Sequence, residues 1–442
     1  MTSVVVGLGK TGASCLRYLV RHGIPASATD SRRMPPVLAE LGDLARTLDI
    51  RLGGFDLSLL DGASQLLMSP GVSLDEPIAR AARARGIEVV GDIELFARAV
   101  RAPVVGITGT NGKSTVTRLV ASMAIAAGRR VLAGGNLGFP ALDLLDQPMP
   151  DLYVLELSSF QLETTFSLEL DAAVVLNVTA DHMDRYATLQ DYARAKARIF
   201  ARAAAVVLNA DDVLVAAMHW AANASTVTFS TQCSEADYAL LRRGTRTFLC
   251  RRGEAVLDVG AMKITGLHNV ANALAALAVG DAIGLPLDAM RCALEAFPGL
   301  PHRSAWVADI AGVRYIDDSK GTNVGATIAA VEGIPGRLVI IAGGQGKSQD
   351  FAPLAAAFKD KVRHAVLIGA DASAIRRAIE GVCSVESAIT MADAVAAAAR
   401  AAAPQDTVLL SPACASLDMF RDYAHRGDEF AAAVRALARA AS

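Results

Sequence analysis

Hydrophobic and polar positions divide the chain into short apolar runs and longer stretches with helical spacing, which alternate throughout. The apolar runs are rich in Val, Ile and Leu, and they predict strands at 4–6, 65–68, 104–107, 153–157, 173–177, 205–209, 338–342, 365–368 and 407–410. Continuous apolar strands separated by helices are typical of parallel sheets with both faces covered, so the pattern predicts an α/β protein. The less regular stretch from about 225 to 264 leaves room for antiparallel strands.

Two interruptions of this pattern suggest domain boundaries. A helix ends before Pro103, where a new strand–loop–helix unit begins, and two prolines and a glycine within 297–301 are typical of a linker or hinge. Each part is long enough to bury its own core. We therefore expect three domains, at 1–96, 97–298 and 299–442.

The charge balance and composition exclude several classes of protein. Among 442 residues, 43 basic and 45 acidic side chains give a net charge of −2, which excludes a polybasic nucleic-acid or membrane-surface binder on charge alone. No run approaches the ~18 apolar residues of a membrane span, and the first residues lack the pattern of a secretory signal. Six widely spread cysteines without a Cys-x-x-Cys pair indicate reduced thiols. We therefore expect a cytoplasmic protein without nucleic-acid or membrane partners.

The lysines are rare and unevenly placed. Only 8 of the 43 basic residues are lysines and 35 are arginines, which indicates a coding bias towards arginine. Five of the lysines, residues 10, 113, 196, 320 and 347, nevertheless stand in glycine-rich loops, in other polar loops or between arginines of a predicted helix. Because a lysine amine can be deprotonated and modified whereas arginine cannot, these five positions are candidates for chemistry.

The strongest motif is the strand, loop and helix of residues 104–127, whose centre is Gly109-Thr110-Asn111-Gly112-Lys113-Ser114-Thr115. In such a loop the backbone N–H groups and the helix N-terminus bind phosphates, the lysine reaches the β- and γ-phosphates, and the hydroxyl meets Mg²⁺. The strict pattern has glycine where this chain has Ile107. The flanking strand and helix still predict a site for a nucleoside triphosphate.

A second glycine loop follows the first strand, with the sequence Gly7-Leu8-Gly9-Lys10-Thr11-Gly12. Together with Asp30 at the end of the next strand-like stretch, it matches the dinucleotide fingerprint and leaves an NAD-dependent enzyme open. Lys10 and the run Ser31-Arg32-Arg33 suit another nucleoside diphosphate equally well. The motif therefore predicts a phosphate-binding turn without choosing the nucleotide.

Acidic and basic side chains follow further strands of the central part, at the sheet edge where α/β proteins bind ligands. Glu156 ends one predicted strand, and Asp181-His182 follows another. An acid and a histidine at such a place can hold hard cations beside a triphosphate. Lys196 lies on a predicted helix between two arginines, which makes it a candidate for a modified amine, with a solvated lysine as the alternative.

Three polar loops follow strands of the last part, at 317–323, 343–348 and 411–420. Two of them carry a rare lysine, Lys320 and Lys347, so we expect the loops to converge on one anionic ligand. Cys414 has no histidine nearby in the sequence, which favours a packed thiol over a nucleophile.

The chain resembles the Mur ligase family, the ATP-dependent amide-forming enzymes of peptidoglycan precursor synthesis. The resemblance covers essentially the whole chain and rests on the two glycine loops, Glu156 with Ser158-Ser159-Phe160-Gln161-Leu162-Glu163, Asp181-His182, Lys196, His302-Arg303, Asp318-Ser319-Lys320 and Ser411-Pro412-Ala413-Cys414-Ala415-Ser416. The last of these motifs and the 109–115 loop are similar to those of the members that add D-glutamate. The Asp-Asn-Pro motif of the members that add diaminopimelate or lysine is not found.

The resemblance implies a Rossmann-like first domain for the UDP-linked substrate, a central P-loop-type ATPase domain and a Rossmann-like last domain for the amino acid. The UDP-linked substrate would be bound by Gly9, Lys10, Thr11, Gly12, Ser31, Arg32, Gly71, Asn136, Ser158 and His182. ATP would be bound by Gly109, Thr110, Asn111, Gly112, Lys113, Ser114, Thr115, Asn269, Asn272, Arg303, Asp318 and Lys320. D-glutamate would be bound by Thr322, Lys347, Ser416 and Tyr423.

The resemblance also implies the reaction. D-glutamate would be added to UDP-N-acetylmuramoyl-L-alanine through an acyl phosphate and a tetrahedral intermediate, with release of ADP and phosphate. Lys113, Glu156, His182 and Lys196 would be catalytic, and two Mg²⁺ ions would be held by Ser114, Glu156, His182 and a CO₂-derived carbamate on Lys196. We expect a monomer that serves cell wall biogenesis, and through it cell shape and cell division.

Three other functions are compatible with parts of the sequence. A folylpolyglutamate synthase would share the central and last domains, but it would not need the first glycine loop. An NAD-dependent oxidoreductase would explain 7–12 but not Lys113, and a non-catalytic nucleotide sensor would have no need for Glu156, His182 and Lys196 together.

Overall fold

Three sheets organise the chain, and each is built from a separate stretch of sequence. The computed structural model describes residues 2–136 and 138–441. Strands alternate with helices in all three units, which confirms the predicted α/β fold. Among the helices of the described residues, none is both long enough and apolar enough to cross a membrane.

The first unit is a parallel five-stranded sheet in the order β3-β2-β1-β4-β5. Its strands are β1 (Ser3–Val6), β2 (Ala26–Asp30), β3 (Asp49–Leu52), β4 (Gln65–Met68) and β5 (Glu88–Val90). Its helices are α1 (Lys10–Arg21), α2 (Leu38–Leu41), α3 (Leu44–Thr47), α4 (Pro77–Ala84) and α5 (Asp92–Ala99), and a 3₁₀ turn spans Leu57–Leu60. The central strands β1 and β4 are fully buried, as the apolar residues that follow Ser3 and Gln65 predict.

The second unit has nine strands in the order β14-β13-β12-β11-β10-β9-β6-β8-β7. They are β6 (Val104–Thr108), β7 (Val131–Gly135), β8 (Leu152–Glu156), β9 (Ala172–Val175), β10 (Ala205–Asn209), β11 (Ser225–Phe229), β12 (Tyr238–Arg243), β13 (Arg246–Arg251) and β14 (Glu254–Asp258). Its helices are α6 (Lys113–Ala126), α7 (Ala141–Leu144), α8 (Ser159–Glu163), α9 (Leu189–Ala197), α10 (Val213–Ala216), α11 (Leu267–Ala282) and α12 (Leu287–Ala296), with 3₁₀ turns at Arg198–Phe200 and Val259–Ala261. Helix α11 is apolar on nearly all sides because it is buried between the sheet and its neighbouring helices.

The third unit has six strands in the order β15-β16-β20-β17-β18-β19, parallel except for the β15–β16 pair. They are β15 (Ala305–Ile310), β16 (Val313–Asp317), β17 (Leu338–Gly343), β18 (Val362–Ile368), β19 (Ser384–Ser387) and β20 (Thr407–Leu410). The helices are α13 (Val324–Gly333), α14 (Pro353–Phe358), α15 (Ala372–Ala378), α16 (Met391–Ala401) and α17 (Tyr423–Ala441).

In the second unit one expectation from the sequence is confirmed and one strand boundary is corrected. The antiparallel pairs expected at 225–264 are β12–β13 and β13–β14, whereas β11 pairs in parallel with β10. Strand β9 ends two residues before the predicted end at Asn177. The reason is that Asn177 turns towards the glycine loop of 109–115, where its carbonyl accepts from Thr110 N and its Oδ1 accepts from Asn111 N.

Candidate active site

The glycine loop between β6 and α6 has the shape of a phosphate site. Gly112 caps α6 in the left-handed region, at φ +85°, and a Cβ there would lie 2.3 Å from Asn272 Oδ1, so only glycine fits. Ile107, where the strict motif has glycine, is instead a buried strand residue. The Lys113 ammonium donates to the carbonyls of Gly109 and Thr110, at 2.8 and 2.9 Å, and so folds the loop around itself.

A pocket lies between this loop, α11 and the third unit. Of the residues expected to bind ATP, its lining contains Asn111, Gly112, Thr115, Asn269, Asn272, Arg303, Asp318 and Lys320. Gly109 and Thr110 in the loop, and Lys113 and Ser114 in the first turn of α6, are not part of its lining. Arg303 reaches across from the third unit, where its guanidinium donates to Ser114 Oγ at 2.8 Å. The structure thus brings the predicted nucleotide residues of two units to one place.

Glu156 ends β8 directly beside the loop and is 3% exposed. Its Oε1 accepts from Asn136 Nδ2 at 2.6 Å, while its Oε2 is buried without a hydrogen-bond partner in the described part of the chain. A buried carboxylate oxygen without a partner costs free energy unless a ligand satisfies it. Glu156 is therefore placed to bind a cation.

Lys196 of α9 is almost completely buried, at 1% exposed. Its Nζ donates to Gly109 O at 2.8 Å and lies 4.3 Å from the centre of the Tyr192 ring. Burial, and secondly the charge of Lys113, hold the pKa of the Lys196 amine well below its ordinary value. Burial also lowers the pKa of Lys113. The amine of Lys196 is therefore much more readily neutral than that of a surface lysine.

The Asp181-His182 segment faces the same loop. His182 adopts a positive φ of 58°, and its ring packs edge-on against Phe160. Burial lowers the pKa of His182, so its imidazole is more readily neutral and able to act as a ligand. Burial alone would raise the pKa of Asp181, but the nearby cations, first of all Lys347 with its Nζ at 3.5 Å, bring it below its ordinary value.

A separate pocket surrounds the first glycine loop. Its lining includes Gly9, Lys10, Thr11, Ser31, Arg32, Gly71 and Asn136 of the predicted UDP-substrate set, but not Gly12, Ser158 or His182. A Cβ at position 12 would lie 2.0 Å from Gly7 O, which explains why this position is a glycine. Ser158 instead caps α8, in a capping box with Gln161.

The acid of the dinucleotide fingerprint is already engaged in this pocket. The Asp30 carboxylate accepts from Leu8 N at 2.6 Å and from the Arg32 guanidinium at 2.8 and 2.9 Å. In the dinucleotide fold this acid binds a ribose hydroxyl. The engaged carboxylate therefore disfavours the NAD hypothesis.

The four residues of the third unit that are expected to bind D-glutamate, all of them described by the structure, are not bonded directly to one another. Lys347 faces Asp181, and Tyr423 packs under Lys320, whose Nζ lies 3.9 Å from the ring centre. Thr322 is partly buried and Ser416 is buried. In the described part of the chain, no hydrogen bond or ion pair joins any two of these four predicted D-glutamate residues.

Comparisons with known proteins cover the whole length of the chain. Family models match residues 1–91 (Mur ligase MurD-like, N-terminal domain), 107–280 (Mur ligase middle domain) and 302–414 (Mur ligase, glutamate ligase domain). A UDP-N-acetylmuramoylalanine--D-glutamate ligase of Nitrosococcus oceani is 53% identical over 98% of this chain and 96% of its own. The chain belongs to the Mur ligase family. The resemblance seen in the sequence is thereby confirmed.

Further relatives of this Mur ligase agree with that assignment. An enzyme of the same name from Pseudomonas aeruginosa is 49% identical over 98% of both chains. The crystal structure of a UDP-N-acetylmuramate-alanine ligase from Thermotoga maritima is similar in fold, with a TM-score of 0.63 and 19% identity over 99% of this chain and 100% of its own.

Sequence reasoning did not select two buried residues of the Mur ligase site. Asn323 caps α13 and contacts Asn111 and Asp181 of the second unit. An asparagine directly before an apolar helix is a helix-start signal, but it does not reveal those partners. Arg426 is fully buried and donates to Ser319 Oγ, Ser319 O and Cys414 O.

The loop that Arg426 holds contains the cysteine considered in the sequence. Burial raises the pKa of Cys414 to about 12, so its thiol stays protonated. The side chain packs among the apolar residues of the third unit's core. Both observations favour the packed thiol that was expected.

Proposed function

We propose that this Mur ligase uses ATP to join D-glutamate to UDP-N-acetylmuramoyl-L-alanine. The observation that carries the proposal is that Lys113, Glu156 and Lys196 lie around the glycine loop of 109–115. Arg303 of the third unit donates to Ser114 at the same place. The identity to relatives named for this activity over nearly their full length supports the choice of substrates. Residues 1–96 would bind the UDP-linked substrate, 97–298 ATP, and 299–442 D-glutamate.

The residues present suit magnesium. The unpartnered Glu156 Oε2 and the Ser114 hydroxyl are hard oxygen donors of the kind Mg²⁺ takes. The described residues contain no cluster of three or more His, Cys, Asp or Glu side chains for a metal. Mg²⁺ commonly binds through one or two carboxylates together with substrate phosphates and waters. We propose Ser114 and Glu156 for one ion, and His182 with the modified Lys196 for a second. When bound, the ions neutralise charge on the phosphate oxygens.

We propose that Lys196 reacts with CO₂. Its neutral amine would form an N–C bond to the carbon of CO₂ and release one proton, which leaves a carbamate anion. The low pKa of the buried amine supports this step, because only the unprotonated form is a nucleophile. The carbamate would reverse the local charge and add two oxygen donors.

The reaction has two steps that build charge on oxygen. The L-alanyl carboxylate attacks the γ-phosphorus of ATP, the bond from that phosphorus to the bridging oxygen breaks, and the products are an acyl phosphate and ADP. The D-glutamate amine then attacks the acyl carbon, and the tetrahedral intermediate expels phosphate. Lys113, which in the ligand-free chain is bonded to loop carbonyls, would turn to the phosphates, and Arg303 with Lys320 would bind them from the other side.

An acyl phosphate is destroyed by water, so the site benefits from closure. The 297–301 linker between α12 and β15 is our proposed hinge for the third unit. Scattering profiles that superimpose with and without nucleotide plus substrates would refute this closure. Because ATP and UDP-linked sugars are cytoplasmic metabolites, we propose that the enzyme acts there as a monomer, in peptidoglycan synthesis and hence in cell shape and division.

The test is phosphate release from ATP by the full chain. We expect release only when UDP-N-acetylmuramoyl-L-alanine and D-glutamate are both present, together with Mg²⁺. Folate and L-glutamate in place of these substrates test the folylpolyglutamate alternative, and release with them would support it. Phosphate release that needs neither UDP-N-acetylmuramoyl-L-alanine nor D-glutamate would refute the ligase proposal.

A further inference from the structure

Asn323 is a buried amide, 3% exposed, at the start of α13. Its Oδ1 accepts from Ala326 N at 2.8 Å, which is the N-cap bond of the helix. The same oxygen also accepts a longer bond from Asn111 Nδ2, at 3.4 Å. The N-cap bond and this contact together set the orientation of the side chain.

The amide nitrogen of Asn323 contacts two residues of the second unit. Asn323 Nδ2 donates to Asn111 Oδ1 at 3.1 Å and to Asp181 Oδ2 at 3.3 Å. These partners are separated from Asn323 by 212 and 142 residues of sequence. One side chain therefore caps a helix of the third unit with its oxygen and also joins two loops of the second unit.

The glycine loop lines the nucleotide pocket, and the Asp181 loop is joined to it by a bond of 3.0 Å from Thr179 N to Thr110 Oγ1. Asn111 belongs to the glycine loop, and its own N–H is held by Asn177 Oδ1 at 2.8 Å. Asp181 precedes His182, and its Oδ1 faces Lys347 of the third unit. Asn323 itself directly follows Thr322, a residue proposed to bind D-glutamate.

We propose that Asn323 is a positioning residue that couples nucleotide binding in the second unit to D-glutamate binding in the third. The inference rests on the proposed function for the identity of the second ligand. A nucleotide that orders the glycine loop fixes Asn111, and the amide bridge passes this order to the segment containing Thr322. Since such coupling is reciprocal, D-glutamate strengthens nucleotide binding by the same factor.

Two substitutions separate this role from helix capping. Serine and aspartate are N-caps as good as asparagine, so Asn323→Ser and Asn323→Asp keep α13. Serine is too short to reach Asn111 and Asp181, whereas aspartate places a second carboxylate against Asp181 and has no N–H to donate. Thr390→Ser at the start of α16 exchanges one cap for another far from the site and is the matched control.

The experiment measures D-glutamate binding to the full-length enzyme with and without the non-hydrolysable nucleotide AMPPCP, together with KM and kcat. We expect the nucleotide to strengthen D-glutamate binding in the parent enzyme and in Thr390→Ser. The enhancement should fall at least tenfold in Asn323→Ser and further in Asn323→Asp, with KM for D-glutamate raised in the same order. An unchanged enhancement in both variants, or an equal loss in Thr390→Ser, would overturn the proposal.

Hydrogen exchange of the ligand-free chain tests the bridge without any assumption about activity. Peptides that cover 108–116 and 178–186 should exchange at least fivefold faster in Asn323→Ser, while peptides of α13 keep the parent rate. Equal exchange in the two loops would refute the bridge. A further outcome is that hydrogen exchange verifies the bridge while the parent enzyme shows no activity that depends on D-glutamate. That outcome would refute the proposed function, and with it the assignment of D-glutamate as the second coupled ligand.

Discussion

We expect the substitution Asp318→Asn to stabilise the ligand-free protein above pH 7. The Asp318 carboxyl is 8% exposed, and it accepts hydrogen bonds from Ser304 N at 3.0 Å and Ser411 Oγ at 2.8 Å. Burial raises its pKa from 3.8 to about 7, against the opposing effect of these donors and of Arg303. Asparagine keeps an oxygen for Ser304 N and carries no charge.

The magnitude follows from the difference between the folded and unfolded pKa. The folded chain holds the proton more tightly, so between about pH 4 and pH 7 it binds more protons than the unfolded chain, and stability falls as pH rises. A difference of about 3 pH units at about 1.4 kcal/mol each gives a cost of about 4 kcal/mol above pH 7. Below pH 4 both states are protonated, and the cost vanishes.

Urea unfolding of the parent and Asp318→Asn at pH 5, 6, 7 and 8 measures this cost. The advantage of the variant should grow by about 3 kcal/mol between pH 5 and pH 8. Glu332→Gln, on the exposed side of α13, removes a surface carboxylate and is the control with no such growth. An advantage that stays constant or shrinks as pH rises would refute the burial of an ionisable Asp318.

Three further substitutions test other parts of the site. Lys196→Arg should lower kcat for phosphate release at least 100-fold and leave ADP binding within threefold, because arginine cannot form a carbamate; near-normal turnover would contradict the carbamate. Ser158→Ala removes the capping box of α8 and should cost about 1 kcal/mol of stability, and an unchanged midpoint in urea would contradict the role of that cap. Arg426→Met should cost roughly 3 kcal/mol, because the carbonyls that it serves lose their donors. Arg435→Met on the exposed side of the same helix should stay within about 0.5 kcal/mol, and equal losses in these two variants would contradict the assignment.

Strands buried on both faces could be predicted from the sequence, and strands at sheet edges could not. The runs at 65–68, 205–209 and 407–410 coincide with β4, β10 and β20, because each lies inside a sheet and is apolar except for one end residue. Strands β3 and β19 lie at sheet edges and are largely exposed, so Asp49, Arg51 and Glu386 are tolerated there. Their sequences therefore contain no continuous apolar run from which a strand could be predicted.

The candidate site also divides into features that the sequence predicts and features that it does not. The glycine loop is local in sequence, and its chemistry follows from neighbouring residues. The contact of Arg303 with Ser114 and that of Asn323 with Asp181 join separate units, and only the packing of those units creates them. The scarcity of lysine drew attention to Lys196, which the structure places, almost completely buried, against the carbonyl of Gly109.

The long sequence separation between Asn111 and Asn323 has a consequence during synthesis. At about 5–20 residues per second, a ribosome needs roughly 10 to 40 s to add the 212 residues between them. The rest of the second unit is added during that time, while the glycine loop is without its partner from the third unit. The bonds from Lys113 to the carbonyls of Gly109 and Thr110 span only four and three residues of sequence, so they do not require the third unit.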